Sequence, residues 1–273
     1  MNLTSPSQVK AWCIENGFHP NKTMGQNFLI DRNALLGIVD AGLKPVPVGK
    51  AAPRVLEIGP GLGVLTEELL SRGCLVTAVE KDPVLAERLK AALGGPEALT
   101  VVAGDALDFI ADGSSNLSDF DCMVSNLPYQ AGTRILLELV QSRAPASMTV
   151  LVQSEVAERL AAKEGSKTRG LAGVWAQLDY DVEIVRKVAA SCFWPRPEIG
   201  SSVVRLVRHD RNAGFSAGER EIFHKLTKKA FEHRRKQLGS IFKDMIQSTA
   251  RAEQLSNEDW IYLVKELMKN EDA

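Results

Sequence analysis

The sequence predicts an α/β fold followed by a small all-helical domain, and three observations support this. From about Arg54, short β-branched apolar runs alternate with helical segments, which is typical of a parallel sheet with crossover helices. A polar, turn-rich stretch, His209–Gly214, separates this region from a final segment with helical periodicity. The length of 273 residues, with 45% hydrophobic and 25% charged residues, suits one large domain and one small domain.

Seven strands are predicted for the sheet, and helices are predicted after the first, second, fourth and fifth of them. In chain order, the predicted strands are Arg54–Ile58, Leu75–Glu80, Leu99–Ala103, Asp121–Ser125, Met148–Gln153, Val182–Val188 and Val203–Val207. The predicted helices are Val64–Arg72, Pro83–Leu93, Thr133–Ser142 and Glu155–Ala162. Asp82 and Pro83 suit a helix start, because aspartate caps unpaired N–H groups and proline fits the first helical position.

The boundary between the two domains is predicted after residue 211. Ser216 followed by Glu219 is a capping-box pattern, which marks the start of a helix, and no strand pattern follows it. We therefore expect domains at residues 1–211 and 212–273. The segment from Arg205 to Lys243 contains eleven lysines and arginines and only four acidic residues, although the formal net charge of the chain is −1. This excess favours contacts with nucleic-acid phosphates, while the alternative is an ordinary solvated face.

Composition argues against several other classes of protein. The four cysteines are scattered without the spacing of metal ligands, so we expect neither a disulfide framework nor a metal site. No stretch approaches the ~20 apolar residues that span a bilayer, and the first residues lack the pattern of a signal peptide. We expect a cytoplasmic monomer without a membrane partner.

A glycine-rich loop joins the first predicted strand to the first predicted helix. The segment Glu57–Gly63 (EIGPGLG) places glycines where the chain turns tightly and a ligand approaches backbone N–H groups. Val64 stands where a dinucleotide fingerprint requires a small residue, so the loop resembles the first motif of class I methyltransferases more than that of nicotinamide enzymes. This motif indicates a Rossmann-like, seven-stranded class I methyltransferase sheet, with Gly59 and Gly61 as candidate cofactor contacts.

Two carboxylates follow the next two strands at the same edge of the sheet. Glu80 ends the second predicted strand, where a carboxylate can accept hydrogen bonds from both hydroxyls of a ribose. Asp105 ends the third predicted strand and can accept from the amino group of an adenine. One acid at a strand end is usually structural, but a glycine loop and two acids at three successive carboxyl ends indicate a ligand crevice.

The segment Ser125–Tyr129 (SNLPY) ends the fourth predicted strand and matches the Asn-x-Pro-aromatic motif of amino-group methyltransferases. The Asn126 side-chain carbonyl and the Leu127 main-chain carbonyl can hold the two hydrogens of an aromatic amine out of plane and favour positive charge on its nitrogen. Pro128 stiffens the turn, and Tyr129 offers a stacking face for a flipped base. The alternative is a turn with these residues by chance, but together with the crevice the motif favours catalysis.

With these motifs, the chain resembles the bacterial small-subunit ribosomal RNA adenine N6,N6-dimethyltransferase family from about residue 22 to residue 260. The matching segments, in the family's order, are Gly25–Asp31 (GQNFLID), Leu56–Gly61 (LEIGPG), Asn126–Tyr129 (NLPY), Phe193–Pro197 (FWPRP), Ser201–Leu206 (SSVVRL), His233–Leu238 (HRRKQL) and Arg251–Ser256 (RAEQLS). Their co-occurrence is far more specific than any single motif.

The resemblance implies S-adenosyl-L-methionine as the cofactor and 16S rRNA, in the small ribosomal subunit or its precursor, as the partner. It implies dimethylation of two neighbouring adenines in the 3′-terminal hairpin of that RNA. By position, it implies cofactor contacts from Gln26, Asn27, Leu29, Gly59, Gly61, Glu80, Lys81, Asp105, Ala106 and Asn126. Because Gln26 and Asn27 precede the sheet, the amino-terminal segment would have to fold back over the cofactor as a lid.

The resemblance also implies roles for residues outside the cofactor site. Phe193 would face the target adenine opposite Tyr129 as half of an aromatic clamp, with core packing as the alternative. Arg234, Arg235 and Lys236 would contact RNA.

Three other functions compete with this interpretation. An enzyme of the macrolide-resistance type, which methylates large-subunit rRNA, shares the glycine loop and the motif at Asn126, but the wording NLPY and the basic run at Arg234 favour the small-subunit enzyme. A noncatalytic ribosome assembly factor would not need Asn126, Tyr129, Glu80 and Asp105. A nicotinamide oxidoreductase would need a hydride-transfer site, and the sequence shows none.

Overall fold

The computed structural model of the chain describes residues 1–21, 24–93, 97–113, 116–243 and 245–271. Its helices are α1 (Pro6–Glu15), α2 (Arg32–Leu43), α3 (Val64–Ser71), α4 (Pro83–Ala92), α5 (Ala106–Asp112), α6 (Gly132–Ser142), α7 (Ser154–Ala161), α8 (Leu171–Asp179), α9 (Ala217–Glu232), α10 (Leu238–Ile241) and α11 (Asn257–Glu271). Its strands are β1 (Phe28–Leu29), β2 (Arg54–Ile58), β3 (Leu75–Glu80), β4 (Leu99–Ala103), β5 (Cys122–Asn126), β6 (Ser147–Gln153), β7 (Tyr180–Val188), β8 (Phe193–Trp194) and β9 (Ser201–Arg208).

The main sheet has seven strands, as the sequence predicts, and their order is β4-β3-β2-β5-β6-β9-β7. The five strands from β4 to β6 pair in parallel, and β9 is antiparallel to β6. The chain builds β2, β3 and β4 towards one edge and then returns to place β5 on the other side of β2. This reversal creates a crevice at the carboxyl ends of β2 and β5, which is where open α/β sheets bind ligands.

Caps fix the start of several helices next to this crevice. The Asp82 carboxylate accepts hydrogen bonds from the backbone N–H groups of Val84 and Leu85 at 3.0 and 3.3 Å, and Pro83 occupies the first turn of α4. Asp105 accepts from the Leu107 N–H at 2.8 Å and begins α5. In both cases a polar residue two positions after the end of a strand caps the following helix, at the carboxyl end of the sheet.

Packing between α2 and the sheet depends on a glycine. Gly42 lies where α2 crosses β5, and a Cβ at this position would stand 2.4 Å from Val124 Cγ2. Leu35 and Ile38 of the same helix are buried in the apolar cluster that also contains Val55 of β2. The absence of a side chain at Gly42 allows the helix to approach this part of the sheet closely.

The residues form two compact units, and their boundaries differ from the prediction. The first unit comprises Met1–Ala157 and Glu183–Val207, and the second comprises Glu158–Val182 and Arg208–Ala273. The second stretch of this unit begins at Arg208, close to the predicted boundary at residues 211 and 212. However, residues 158–182 were expected in the first domain.

The physical reason for this difference is the apolar face of α8. Val174 and Leu178 of α8 are buried in one apolar cluster with Phe223 of α9 and Trp260 of α11. The capping box that opens α9 is present as predicted: the Ser216 N–H donates to Glu219 Oε2 at 2.6 Å, and the Glu219 N–H donates to Ser216 Oγ at 3.2 Å. Beyond residue 212, the described part of the chain contains helices and no strand, as predicted.

Candidate active site

A cavity of about 490 Å³ lies in the first unit, where β2, β3, β4 and β5 end. Its volume falls within the range of about 300–1,000 Å³ that is usual for small-molecule sites. Of the residues predicted to bind cofactor or substrate base, all except Phe193 line it: Gln26, Asn27, Leu29, Gly59, Gly61, Glu80, Lys81, Asp105, Ala106, Asn126, Leu127, Pro128 and Tyr129. The structure therefore brings together residues from widely separated parts of the chain.

The glycine loop after β2 is fixed by its backbone conformation and by the neighbouring strand. Gly61 has φ +58°, which favours glycine, and a Cβ there would stand 3.2 Å from the Phe28 ring. The Gly61 N–H donates to Glu80 Oε2 at 3.0 Å. The loop is thus joined directly to the carboxylate that ends β3.

Glu80 is a nearly buried acceptor, with 6% of its surface exposed. Its second carboxylate oxygen, Oε1, accepts from the Asp82 N–H at 2.9 Å. Burial raises the pKa of Glu80, while the hydrogen bonds from the Asp82 and Gly61 N–H groups oppose that shift. Each oxygen holds one backbone donor and keeps further capacity to accept, so Glu80 can receive hydroxyl groups of a ligand in the cavity.

Asp105 differs from Glu80 because a cation already engages it. The Lys81 ammonium donates to Asp105 Oδ2 at 2.7 Å, and the Leu107 N–H donates to Oδ1. The hydrogen bond from Lys81 is the largest of several causes that lower the pKa of Asp105. Asp105 is therefore an ionised acceptor in the cavity wall. Lys81 lies beside it, so a ligand group bound by Asp105 would also be near the Lys81 ammonium.

The orientation of the Asn126 side chain follows from one hydrogen bond. Its Nδ2 donates to the main-chain carbonyl oxygen of Asn27 at 3.1 Å. A carbonyl oxygen only accepts, so the NH₂ group of Asn126 must face Asn27, and Oδ1 must face the other way. The NH₂ group of Asn126 is thus engaged by Asn27, and Asn126 itself lines the cavity at the end of β5.

The ring of Tyr129 is held by its hydroxyl group at the cavity wall. Tyr129 Oη and Ser201 Oγ are 2.6 Å apart, so one hydroxyl donates to the other. Burial raises the pKa of the Tyr129 phenol, which therefore stays neutral. Gly25 approaches the same turn closely, because a Cβ at Gly25 would stand 3.0 Å from the Tyr129 backbone nitrogen.

The segment before the sheet folds back through a two-stranded sheet that the sequence did not predict. Strands β1 and β8 pair antiparallel, with Leu29 opposite Phe193. Gln26 Nε2 donates to Asp82 Oδ2 at 2.9 Å, which joins the segment to the start of α4. These contacts bring Gln26 and Asn27 to the cavity wall.

Phe193 is the one residue predicted to bind cofactor or substrate base that does not line this cavity. Only 2% of its surface is exposed, and it belongs to the apolar core cluster that contains Leu29 and Ile38. Its backbone pairs with Leu29 of β1, and its side chain packs in this cluster. This position is what core packing, the alternative that the sequence left open, would give, while a role opposite Tyr129 stays a prediction.

Several residues of the cavity wall were not predicted as site residues, and Glu57 and Leu3 are two of them. Glu57 is 1% exposed and accepts from Thr66 Oγ1 at 2.7 Å; its burial raises its pKa to about 8. The signal for Glu57 was the acidic residue within an otherwise apolar strand that leads into the glycine loop. Leu3 also lines the cavity. No sequence signal indicates Leu3, because it precedes every recognisable motif.

The predicted RNA contacts lie in the second unit and are not equivalent. Arg234 is half-buried, its guanidinium donates to the Lys167 main-chain carbonyl, and its Nε lies 3.7 Å from Glu253 Oε2. Arg235 and Lys236 are exposed. Arg234 therefore has a structural role within the unit, while Arg235 and Lys236 are available to a partner.

The parts of the chain that the structure describes contain no group of three or more His, Cys, Asp or Glu side chains arranged to hold a metal ion. No helix among them is both long and apolar enough to cross a membrane.

Comparisons with known proteins agree with the motifs. The model of the family described as ribosomal RNA adenine dimethylase matches residues 17–271. A protein of Deinococcus radiodurans named ribosomal RNA small subunit methyltransferase A is 45% identical over 206 residues, which are 75% of this chain and 67% of that protein. A protein of Bifidobacterium longum with the same name is 37% identical over 268 residues, 91% of this chain and 85% of that protein.

Solved structures support the fold. A dimethyladenosine transferase from Plasmodium falciparum has a TM-score of 0.74 at 22% identity and covers 89% of this chain and 98% of its own. The 23S rRNA methyltransferase ErmE has a TM-score of 0.66 at 23% identity, with 88% of this chain and 99% of its own covered.

Proposed function

Because the chain belongs to the ribosomal RNA adenine dimethylase family, we propose that it transfers methyl groups from S-adenosyl-L-methionine to N6 of adenines in 16S rRNA. The observation that carries this proposal is the orientation of Asn126, whose carbonyl oxygen is directed away from Asn27 by the hydrogen bond of its NH₂ group. An adenine amino group can donate two hydrogen bonds through its two N–H groups, so its binding site needs acceptors such as this oxygen.

The residues around the cavity suit S-adenosyl-L-methionine. Glu80 provides two carboxylate oxygens for the ribose hydroxyls, and Asp105 provides an ionised acceptor for the adenine amino group. The glycine loop allows the ligand to approach the backbone closely, and Gln26 and Asn27 cover it from the amino-terminal side. When bound, the cofactor supplies an electrophilic methyl group on a positively charged sulfur.

The chemistry of the target amine explains the Asn-Leu-Pro-Tyr segment. The lone pair of an exocyclic amine is delocalised into the ring, which makes the nitrogen a weak nucleophile. Acceptance of its hydrogens by Asn126 Oδ1 and the Leu127 carbonyl localises the lone pair on nitrogen and stabilises the positive charge that develops there. After the carbon–nitrogen bond has formed, the extra proton can leave to water, so no general base is needed before transfer.

The identity of the target adenines is proposed from the family. We propose two neighbouring adenines in the 3′-terminal hairpin of 16S rRNA, each dimethylated within the small subunit or its precursor by a cytoplasmic monomer. The first domain then performs the transfer and the helical domain docks RNA through phosphate contacts, which give affinity and register but carry no sequence information. Specificity comes from the shape of the RNA and from which adenine can be splayed into the cavity.

Replacement of Asn126 tests the proposal. Asn126→Ala should reduce single-turnover methyl transfer to unmethylated small subunits by about 100-fold or more, because it removes one preorganised acceptor of the transition state. Binding to the small subunit should change little, since affinity is spread over many phosphate contacts. Asn33→Ala is the matched control, because Asn33 is exposed and does not line the cavity.

Two outcomes would contradict the proposal. Near-parental transfer by Asn126→Ala would exclude the amino-group mechanism. Mapping of the label to large-subunit RNA, with none on small subunits, would identify a different substrate.

A further inference from the structure

The segment between α7 and α8, residues 162–170, belongs to the second unit although it lies in the middle of the sequence. It carries two exposed lysines, Lys163 and Lys167, and one exposed acid, Glu164. It has no regular secondary structure, so its position depends on side-chain anchors.

The first anchor is Arg169, a buried guanidinium with 1% of its surface exposed. Its Nη1 donates to the Ala162 main-chain carbonyl at 3.1 Å and to Gln177 Oε1 at 3.2 Å, and its Nη2 donates to Asn257 Oδ1 at 3.0 Å. All three acceptors are neutral, and Arg169 forms no salt bridge with the described residues. Burial of a cation without a counterion costs free energy, and these hydrogen bonds offset part of that cost. They fix the two ends of the segment to each other and to α8 and α11.

The second anchor joins the segment to the basic end of α9. The Arg234 guanidinium donates to the Lys167 main-chain carbonyl, and the Gly165 N–H donates to the Glu253 main-chain carbonyl at 2.9 Å. Arg234 also forms the ion pair with Glu253. The Lys167 backbone is thus in direct contact with Arg234, which precedes Arg235 and Lys236 in the sequence.

We propose that residues 162–168 are a second half of the RNA-docking surface, with Lys163 and Lys167 contacting phosphates beside Arg235 and Lys236. This inference rests on the proposed function. The side chains of these four residues are exposed and form no hydrogen bond or ion pair within the described chain. In residues 162–168 and 234–236 one exposed acid, Glu164, stands against the four exposed cations, so the exposed charge is predominantly positive.

The charge and the anchoring fit structured RNA. A folded RNA presents phosphates from two strands at fixed separations, and two cationic segments held in a fixed relation can contact both. Phosphate contacts release counterions, so each lysine that takes part should increase the salt dependence of binding.

The test compares two double variants of the full-length protein in binding to unmethylated small ribosomal subunits over a series of salt concentrations. Lys163→Gln with Lys167→Gln should raise Kd on the order of tenfold and reduce the slope of log K against log salt by about one to two, because up to two phosphate contacts are lost. Lys265→Gln with Lys269→Gln is the control, since it makes the same charge change at exposed positions of α11. It should leave the slope at the parental value.

The outcomes separate this inference from the proposed function. Suppose that the parent protein binds and methylates small subunits. If Lys163→Gln with Lys167→Gln then shows the parental Kd and the parental salt slope, only the inference is overturned. An equal loss in the control pair would also overturn it, because total charge would then explain the effect. Failure of the parent to methylate small subunits would contradict the proposed function itself.

Discussion

Replacement of Glu80 by glutamine gives the sharpest test of the cofactor site. The two oxygens of Glu80 accept from the Gly61 and Asp82 N–H groups at 3.0 and 2.9 Å, and the residue lines the cavity. Glutamine has nearly the same shape, but its NH₂ group would have to face one of these backbone donors. The variant therefore loses one acceptor for the ligand together with the negative charge.

The expected loss follows from the energy of a hydrogen bond to a charged group. Such a bond contributes about 1.5–3 kcal/mol, which corresponds to an increase in Kd of roughly 10- to 150-fold at about 1.4 kcal/mol per factor of ten. Calorimetric titration with S-adenosyl-L-methionine, without RNA, measures this directly. Asp108→Asn is the control, because it removes the same charge from an exposed residue of α5 that does not line the cavity.

A Kd for Glu80→Gln within about twofold of the parental value would refute the reasoning, because even a weak hydrogen bond contributes about 0.5–1.5 kcal/mol. Glu80 would then serve only to hold the glycine loop. Thermal unfolding of the unliganded variant separates the two roles, since a loss of the loop contact lowers the melting temperature with or without cofactor.

Three further predictions concern the cavity wall. Glu57 has a folded pKa of about 8 against about 4.3 when unfolded, so the folded state holds a proton that the unfolded state releases, and stability falls as pH rises through that window. Glu57→Gln should keep the acceptor for Thr66 and flatten this pH dependence in thermal unfolding; parallel curves for parent and variant would contradict the assignment. Tyr129→Ala should weaken productive adenine binding by about 1–3 kcal/mol through lost stacking, seen in single-turnover transfer at limiting RNA, whereas Tyr129→Phe should retain most of it. Gly25→Ala should impair cofactor binding, since its Cβ would stand 3.0 Å from the Tyr129 nitrogen at a φ of +67°; unchanged affinity would show that the turn can move.

The central sheet and the crevice could be predicted from the sequence because their signals are local. Each apolar run from β2 to β6 has a turn or a cap beside it, and the observed bounds differ from the predicted ones by one or two residues at most. Glu80 and Asp105 could be placed at one edge since parallel strands end at the same edge of a sheet. The position of Asn126 followed from the same rule.

The remaining features depend on contacts between distant residues. Strands β1 and β8 have two residues each, too few to show a period, and they pair across more than 160 residues of sequence. The core position of Phe193 follows from that pairing, so the motif alone could not distinguish it from a position at the cavity. Similarly, the assignment of α8 to the second unit depends on Val174 and Leu178 packing with Trp260.

The division of the second unit between two stretches of chain limits how it can be engineered. A truncation after residue 211 would remove α9 and α11 but leave α8 behind, with Val174 and Leu178 exposed to water. Such a fragment should aggregate rather than behave as a minimal methyltransferase. A chimera that exchanges RNA specificity with a relative therefore has to transplant residues 158–182 along with the carboxyl-terminal helices. The docking unit is encoded by two separate stretches of the gene.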